Sequence, residues 1–388
     1  MVDALITRLD KFYREELRLE GPVPLHAPSF GRRESDYVSE CIETGWVSSV
    51  GAFVNRFEAE VAKVCGCRYG IATVNGTAAL HLALHALGVG AGDLVLCPAL
   101  TFVATANAIA ATGAAPLFLD SDSETLGVSP ARLADFLSWE TETQAGTCVH
   151  RASGRRIAAL VPVHIFGHPV DFDPLAGLAA ERGMPVIEDA AEALGSRYRS
   201  RPCGSLGCVA AISFNGNKPV TTGGGGMLVT DDEDLARRLK HLSTTARVSH
   251  AWDFDHDEPG FNYRMPNLNA ALGCAQMERF GECLAAKRRL AERYGTLLDG
   301  LGDVRLFREQ SWAESNYWLN ALLLPDRRAR DRFLEQSNRR GIQSRPCWRL
   351  LPQTGAWRNA IVAGDLAGAQ WIADHLVNIP SSPSLMMP

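Results

Sequence analysis

The sequence predicts an α/β protein: a mostly parallel central sheet flanked by helices, with a smaller C-terminal α/β domain. Three observations lead there. From Arg68 to about Thr230 short β-rich runs alternate with alanine-rich helical patterns, the signature of a parallel sheet covered by helices. After Asp231 the pattern changes to long helical stretches followed by a mixed segment running to Pro388. The chain has 388 residues, more than one domain of roughly 100 to 200 residues holds.

The elements follow in order. Residues 1–35 open with MVDALITRLDKFYREELRLEG, an amphipathic helix without the apolar core and cleavage site of a signal peptide. This segment is expected to pack with the small domain. Residues 36–250 form the large domain, with strands expected at Leu94–Cys97, Pro116–Leu119, Ala158–Val163, Pro185–Glu188, Val209–Phe214 and Met227–Thr230. Thr101–Thr112 and Pro174–Arg182 read as helices between them. Ser138–Arg156 is polar, aperiodic and long for a connection, which predicts a surface insertion. Residues 251–388 form the small domain.

Composition narrows the function classes. Hydrophobic residues make up 46% and charged residues 21%, ordinary for a globular protein. The formal charge of −5 offers no broad basic field for nucleic acid or an anionic membrane surface. The most apolar stretch, Val103–Leu119, is interrupted by Thr105, Asn107, Thr112, Gly113 and Pro116, so no membrane insertion is expected. Ten cysteines are scattered without a CxxC pair, which predicts reduced thiols, a cytoplasmic location and no metal site.

Three motifs carry candidate chemistry. In VNGTAALHLALHALG (Val74–Gly88), Asn75, Gly76 and Thr77 stand before a helix, whose free N–H groups can hold a phosphate; a plain helix cap is the alternative. MPVIEDAAEALGS (Met184–Ser196) ends an apolar strand in Glu188 and Asp189, at the edge where open α/β sheets bind ligands. A buried acid there needs a partner such as a protonated pyridine nitrogen, unless Asp189 merely caps a following helix. Glu192 is expected on the same helical face as Asp189.

The third motif, SFNGNKPVTTGGGGML (Ser213–Leu228), presents Lys218 on an Asn-Gly-Asn turn before four glycines. A desolvated lysine becomes a nucleophile toward aldehydes. A Walker-type loop is excluded, because there the glycines precede the lysine. A phosphate cup, a strand-end acid and a turn-borne lysine together describe a pyridoxal phosphate site.

With these residues in place, the sequence resembles the DegT/DnrJ/EryC1/StrS sugar aminotransferases, a fold type I pyridoxal phosphate family. The likeness runs through GWVSSVGAFVNRFEAEVA, VNGTAALHLAL, PALTFVATANAI, PVHIFGHPVDFD, VIEDAAEALGS, SFNGNKPVTTGGGGML, GFNYRMPNLNAALGCAQME and NIPSS, in the family's order. It implies that Lys218 carries the cofactor covalently and shuttles the proton, and that Asp189 pairs with the pyridinium nitrogen. It implies phosphate contacts from Gly76, Thr77 and Ser213, ring stacking by Phe102, and a place for Glu192 near the phenolic oxygen. Asn262 is implied to reach the phosphate of the partner subunit in a homodimer with shared sites. His164 and His168 read as structural or pocket-lining, and Arg264 as an arginine for a carboxylate, a diphosphate or a neighbouring acid.

The resemblance implies transamination from L-glutamate, leaving 2-oxoglutarate, to a nucleotide-linked keto-sugar. Ser138–Arg156 and SNYWLNALLL resemble the subgroup that aminates C4 of UDP-2-acetamido-2,6-dideoxy-hexos-4-ulose for legionaminic-type or bacillosamine-type surface glycans. RPCWRLLPQTGAW departs from it by running quickly from Trp348 to Pro352. The alternatives are another 3-keto or 4-keto nucleotide sugar, such as the perosamine precursor, and a non-catalytic regulatory protein on the same fold. A dehydratase relative is disfavoured, because such relatives replace the lysine with histidine.

Overall fold

In the computed structural model, which describes residues 1–387, the large domain is organised by one twisted sheet. Its strands in chain order are β1 (Tyr69–Thr73), β2 (Leu94–Pro98), β3 (Ala115–Leu119), β4 (Thr141–Gln144), β5 (Thr147–His150), β6 (Arg155–Leu160), β7 (Ile187–Asp189), β8 (Val209–Ser213) and β9 (Gly226–Thr230). Across the sheet the order is β1, β9, β8, β7, β6, β2, β3, with β7 joined to the β6 end through the parallel bridges Leu160–Val186 and Val163–Asp189. Only β9 runs against its neighbours in this row. The Phe214–Gly225 connection before it contains no helix, so the chain turns straight back.

The strands β2, β3 and β8 are apolar and almost wholly buried, as a sheet covered on both faces requires. β1 was not among the expected strands. Its sequence YGIAT carries Gly70, a weak strand former, yet a Cβ there would lie 2.5 Å from the Glu58 carbonyl oxygen, so the helix Ala52–Cys65 packs closely only because the side chain is absent.

Ser138–Arg156 is not a shapeless insertion. It contains the end of the helix Pro130–Trp139 and the β4–β5 hairpin, and β5 pairs antiparallel with β6. The hairpin hides from periodicity because TETQ leaves only Thr141 buried, whereas Cys148, Val149 and His150 point inward.

The small sheet has the order Arg305–Leu306, Asn320–Leu323, Leu376–Ile379, Arg345–Pro346, all antiparallel. The N-terminal helix Val2–Lys11 buries Val2, Leu5, Ile6 and Leu9 in one core with Leu290, Tyr294, Phe333 and Val377. Asn267–Glu278 instead packs through Ala270 and Cys274 against Val54 and Phe57 of the large body. Ile361–Val362 adds a parallel edge strand to β3, tying the two bodies together. No helix among the described residues is long and apolar enough to cross a membrane.

Candidate active site

The carboxyl ends of β7 and β8 open onto a cavity of about 610 Å³. Gly76, Thr77, Phe102, Asp189, Glu192, Ser213 and Lys218 all line it. Seven of the eight expected site residues are therefore brought together. Asn262 is the exception: it borders a separate surface pocket with Thr244, Arg247 and Arg264.

The phosphate end is built by close backbone packing. Asn75 caps the helix Gly76–Ala86 by accepting from the Ala78 N–H at 2.8 Å, so the N–H groups of Gly76 and Thr77 keep no intrahelical acceptor. Ser213 sits opposite, and a Cβ on Gly76 would come within 3.0 Å of the Ser213 Cβ. The glycine run explains itself in the same way: a Cβ on Gly226 would strike the Asn75 carbonyl oxygen at 2.4 Å, and one on Gly225 the Met265 side chain at 2.5 Å.

The two strand-end acids have opposite surroundings. Glu188 is enclosed, accepting from the N–H groups of Gly204, Leu206 and Gly207 at 2.9, 2.6 and 2.8 Å and facing His164 Nε2 at 3.0 Å. Nδ1 of His164 accepts from the Val170 N–H at 3.2 Å, so the ring is neutral and its Nε2–H donates to Glu188; burial opposes the charged form, while the Cys203 sulfur and the Glu188 carboxylate raise the group. His168 has no such partner, and burial holds it down at about 3. Both histidines are buried and neither lines the cavity.

Asp189, next along the strand, faces the cavity. It accepts from Thr105 Oγ1 at 2.7 Å and from the Ala191 N–H at 3.2 Å. Burial raises its carboxyl, and those two hydrogen bonds only partly offset that. Its remaining acceptor capacity suits a cationic N–H partner. No helix follows Asp189: residues 190–196 form turns, so the expected helical face does not exist. The turn nevertheless brings Glu192 in, where Oε2 accepts from the Phe166 N–H at 2.8 Å and Oε1 lies 3.2 Å from Lys218 Nζ. Burial raises the Glu192 carboxyl against the opposing charge of Lys218.

Lys218 is held by the turn in which its own N–H donates to the Asn215 carbonyl at 2.9 Å. Its amine, on a side chain only 11% exposed, lies 3.6 Å from the centre of the Trp318 ring. Trp318 carried no assigned role in the sequence reading, nor did Leu25, Arg345, Arg349 and Asn378, which form the outer wall with Trp348. Trp318 and Asn378 lie in the resembling stretches SNYWLNALLL and NIPSS, Arg345, Trp348 and Arg349 lie in the departing stretch RPCWRLLPQTGAW, and Leu25 lies in none of them. Phe102 is 54% exposed into this space, 6.3 Å from the Trp348 ring.

These residues fit pyridoxal phosphate. Free helix N–H groups beside a serine hydroxyl suit the phosphate, the under-satisfied Asp189 suits the ring nitrogen, and the shielded amine of Lys218 suits the aldehyde.

Comparison with known proteins agrees. Residues 28–387 match the DegT/DnrJ/EryC1/StrS aminotransferase family. The GDP-perosamine synthase of Caulobacter vibrioides is 39% identical over 366 residues, 94% of each chain. That of Escherichia coli O157:H7 is 35% identical over 367 residues, again 94% of each chain. The crystal structure of the aminotransferase TlmJ from Streptoalloteichus hindustanus superposes with a TM-score of 0.83 at 30% identity, covering 93% of this chain and 94% of that one. The chain belongs to the DegT/DnrJ/EryC1/StrS family and is a pyridoxal phosphate-dependent sugar aminotransferase.

Proposed function

We propose that the protein transfers the amino group of L-glutamate to the 4-keto group of a nucleotide-linked deoxysugar for surface glycan synthesis. The observation that carries this is the placement of the Lys218 amine between Glu192 and Trp318, in one cavity with Asp189 and the open N–H groups of Gly76 and Thr77. Of the two acceptors suggested by the sequence, the perosamine precursor is favoured over the UDP-linked acetamido sugar. The GDP-perosamine synthases among the relatives support that choice, as does the short Trp348–Pro352 segment.

When bound, the cofactor supplies an electron sink for the carbon that loses and regains a proton. Gly76, Thr77 and Ser213 hold its phosphate, Phe102 covers its ring, and Asp189 keeps its ring nitrogen protonated. Lys218 would hold the cofactor at Nζ, and the same amine would take the proton from the donor carbon. It later returns a proton to the sugar carbon, from the face on which Nζ stands, which fixes the configuration of the new amine. Glu192 stays within hydrogen-bond reach of Nζ. Trp318 and Leu25 help exclude water from the cavity.

The site is completed in a homodimer, where Asn262 reaches the partner's phosphate. Exposed Trp46, Val50, Trp252 and Phe254 support such an interface. Purified protein should show a visible absorbance band that borohydride abolishes and L-glutamate shifts. Assay of GDP-linked and UDP-linked 4-keto sugars then separates the substrates: turnover of the UDP-linked acetamido sugar alone rejects the perosamine reading. Failure with every keto-sugar rejects the acceptor class.

A further inference from the structure

Lys287 lies in the middle of the helix Phe280–Leu298 with 1% of its surface exposed. Among the described residues no carboxylate hydrogen-bonds its amine. Nζ instead donates to the carbonyl oxygens of Ser381 at 2.7 Å and Trp318 at 3.1 Å, and meets His26 Nε2 at 3.0 Å. Three segments far apart in sequence converge on this one nitrogen. None of the roles assigned above uses it.

The hydrogen-bond inventory indicates how this amine is held. Nδ1 of His26 is buried without a partner. If Lys287 were an ammonium, His26 would accept at Nε2 and carry its own proton at Nδ1, leaving a buried N–H unpaired. As a neutral amine, Lys287 gives its two protons to the two carbonyls and its lone pair to the Nε2–H of His26. Only an acceptor lone pair at Nδ1 then goes unused, which costs less. Burial works in the same direction, lowering Lys287 to about 7 against the opposing influence of Cys283. It also holds His26 well below its usual value, with Lys287 and Lys218 adding to the effect.

The far end of this arrangement is the catalytic lysine. The Trp318 carbonyl is anchored by Lys287, its N–H by Asn316 Oδ1 at 2.7 Å, and its indole N–H by the Asn217 carbonyl at 2.6 Å. The ring so fixed is the surface on which Lys218 Nζ rests. Leu25, beside His26, lines the same cavity. The groups facing Lys287 are thus His26, Cys283 and, beyond the Trp318 ring, Lys218 with Glu192.

We propose that Lys287 is a positioning residue that, through Trp318, seats the Lys218 amine for covalent attachment of the cofactor. This rests on the reading of Lys218 as the attachment lysine. A merely structural lysine contributes to stability alone, whereas a positioning one changes how Lys218 titrates and reacts.

The test uses the full-length protein stripped of cofactor, then recharged with pyridoxal phosphate across pH 6 to 9 while the visible band is followed. In Lys287→Met the pH midpoint of the band should move by about one unit, and uptake should slow by about tenfold, the scale of one displaced positioning contact. kcat should fall with it while KM for the nucleotide sugar stays within about twofold. Thermal stability should fall as well, because methionine leaves the Ser381 and Trp318 carbonyls and His26 Nε2 without their partner, so the folded variant is read by its midpoint and uptake rate and not by its Tm. Trp318→Leu should reproduce the band shift. A folded Lys287→Met protein with the wild-type midpoint and uptake rate overturns the proposal. If that variant does not fold, Lys287→Gln decides in its place: a wild-type midpoint and uptake rate overturn the proposal, and a shifted midpoint supports it. Wild-type protein with no borohydride-sensitive band is a separate result, which removes the reading of Lys218 itself.

Discussion

The floor and the rim of the cavity are assembled by different means. The floor is made at the carboxyl ends of β7 and β8 and at the start of the helix Gly76–Ala86, where each functional side chain follows a strand or cap within a few residues. Its positions are set by local turn chemistry and sheet register, with Asp189 opposite Ala211 and Ser213 opposite Gly226. The rim is made by Leu25, Arg345 to Arg349 and Asn378, contributed by the N-terminal segment and the small domain. These segments meet only because the second body docks on the first. A floor of this kind fixes the reaction, and a rim of this kind is free to fix the substrate.

Replacing floor residues should therefore lower turnover with every substrate. Lys218→Ala is expected to reduce kcat by about a thousandfold or more, the scale for losing a group that both attaches and moves a proton. It should also abolish the borohydride-sensitive band, and a Lys218→Ala protein retaining band and turnover would break the comparison outright. Asp189→Asn keeps the shape but loses the charge. Here kcat should drop about ten to a hundredfold, equivalent to one charge-assisted hydrogen bond, with folding preserved.

Rim substitutions should act on one substrate more than another. Arg349 is an exposed guanidinium in the cavity wall with no hydrogen-bonding or ion-pair partner among the described residues. Arg349→Met should raise KM for the nucleotide sugar by about tenfold and leave the glutamate half-reaction within about twofold. Equal losses in both half-reactions would show that rim and floor are not separable at this residue.

Below the floor, the His164–Glu188 pair makes a stability prediction. Nδ1 of His164 accepts from the Val170 N–H at 3.2 Å, so the folded ring is neutral and gives its Nε2 proton to Glu188. Urea unfolding should therefore show no loss of stability from this group between pH 7 and 10, and a fall of about 1.4 kcal/mol per pH unit across that window that vanishes in His164→Gln would mean that the imidazole is protonated when folded. Glu188→Gln should cost about 1 to 3 kcal/mol, because it disturbs the N–H groups and the imidazole that the carboxylate now satisfies.

The same division explains what could be read from the sequence. Asp189, Ser213 and Lys218 were legible because each follows an apolar strand whose end is marked by a change in polarity. Glu192 was placed correctly for an incorrect reason: the chain turns rather than entering a helix. Trp318 and Lys287 were not legible, since a tryptophan in an apolar run and a lysine among arginines on a helix look like core and surface. Only the docking of the small domain brings Trp318 to Lys218 and buries Lys287 at 1% exposure. β1 was hidden by Gly70, whose purpose is a close approach to Glu58 that no periodicity records.

The smallest effect should come from a place that belongs to neither floor nor rim. The β4–β5 hairpin pairs Gln144 with Thr147, so its turn consists of Ala145 and Gly146 alone, with φ values of +47° and +79°. Two left-handed residues in a two-residue loop define the turn whose twist suits adjoining antiparallel strands, and asparagine enters that conformation more readily than alanine. Ala145→Asn should therefore raise stability by about 0.5 to 1 kcal/mol and Tm by about 1 to 3 °C. kcat and both KM values should be unchanged, because the hairpin continues the sheet on the β6 side and contributes nothing to the cavity wall. A change in either kinetic constant would mean that strain at this turn reaches β6 and the bridges linking it to β7, coupling the sheet edge to the floor.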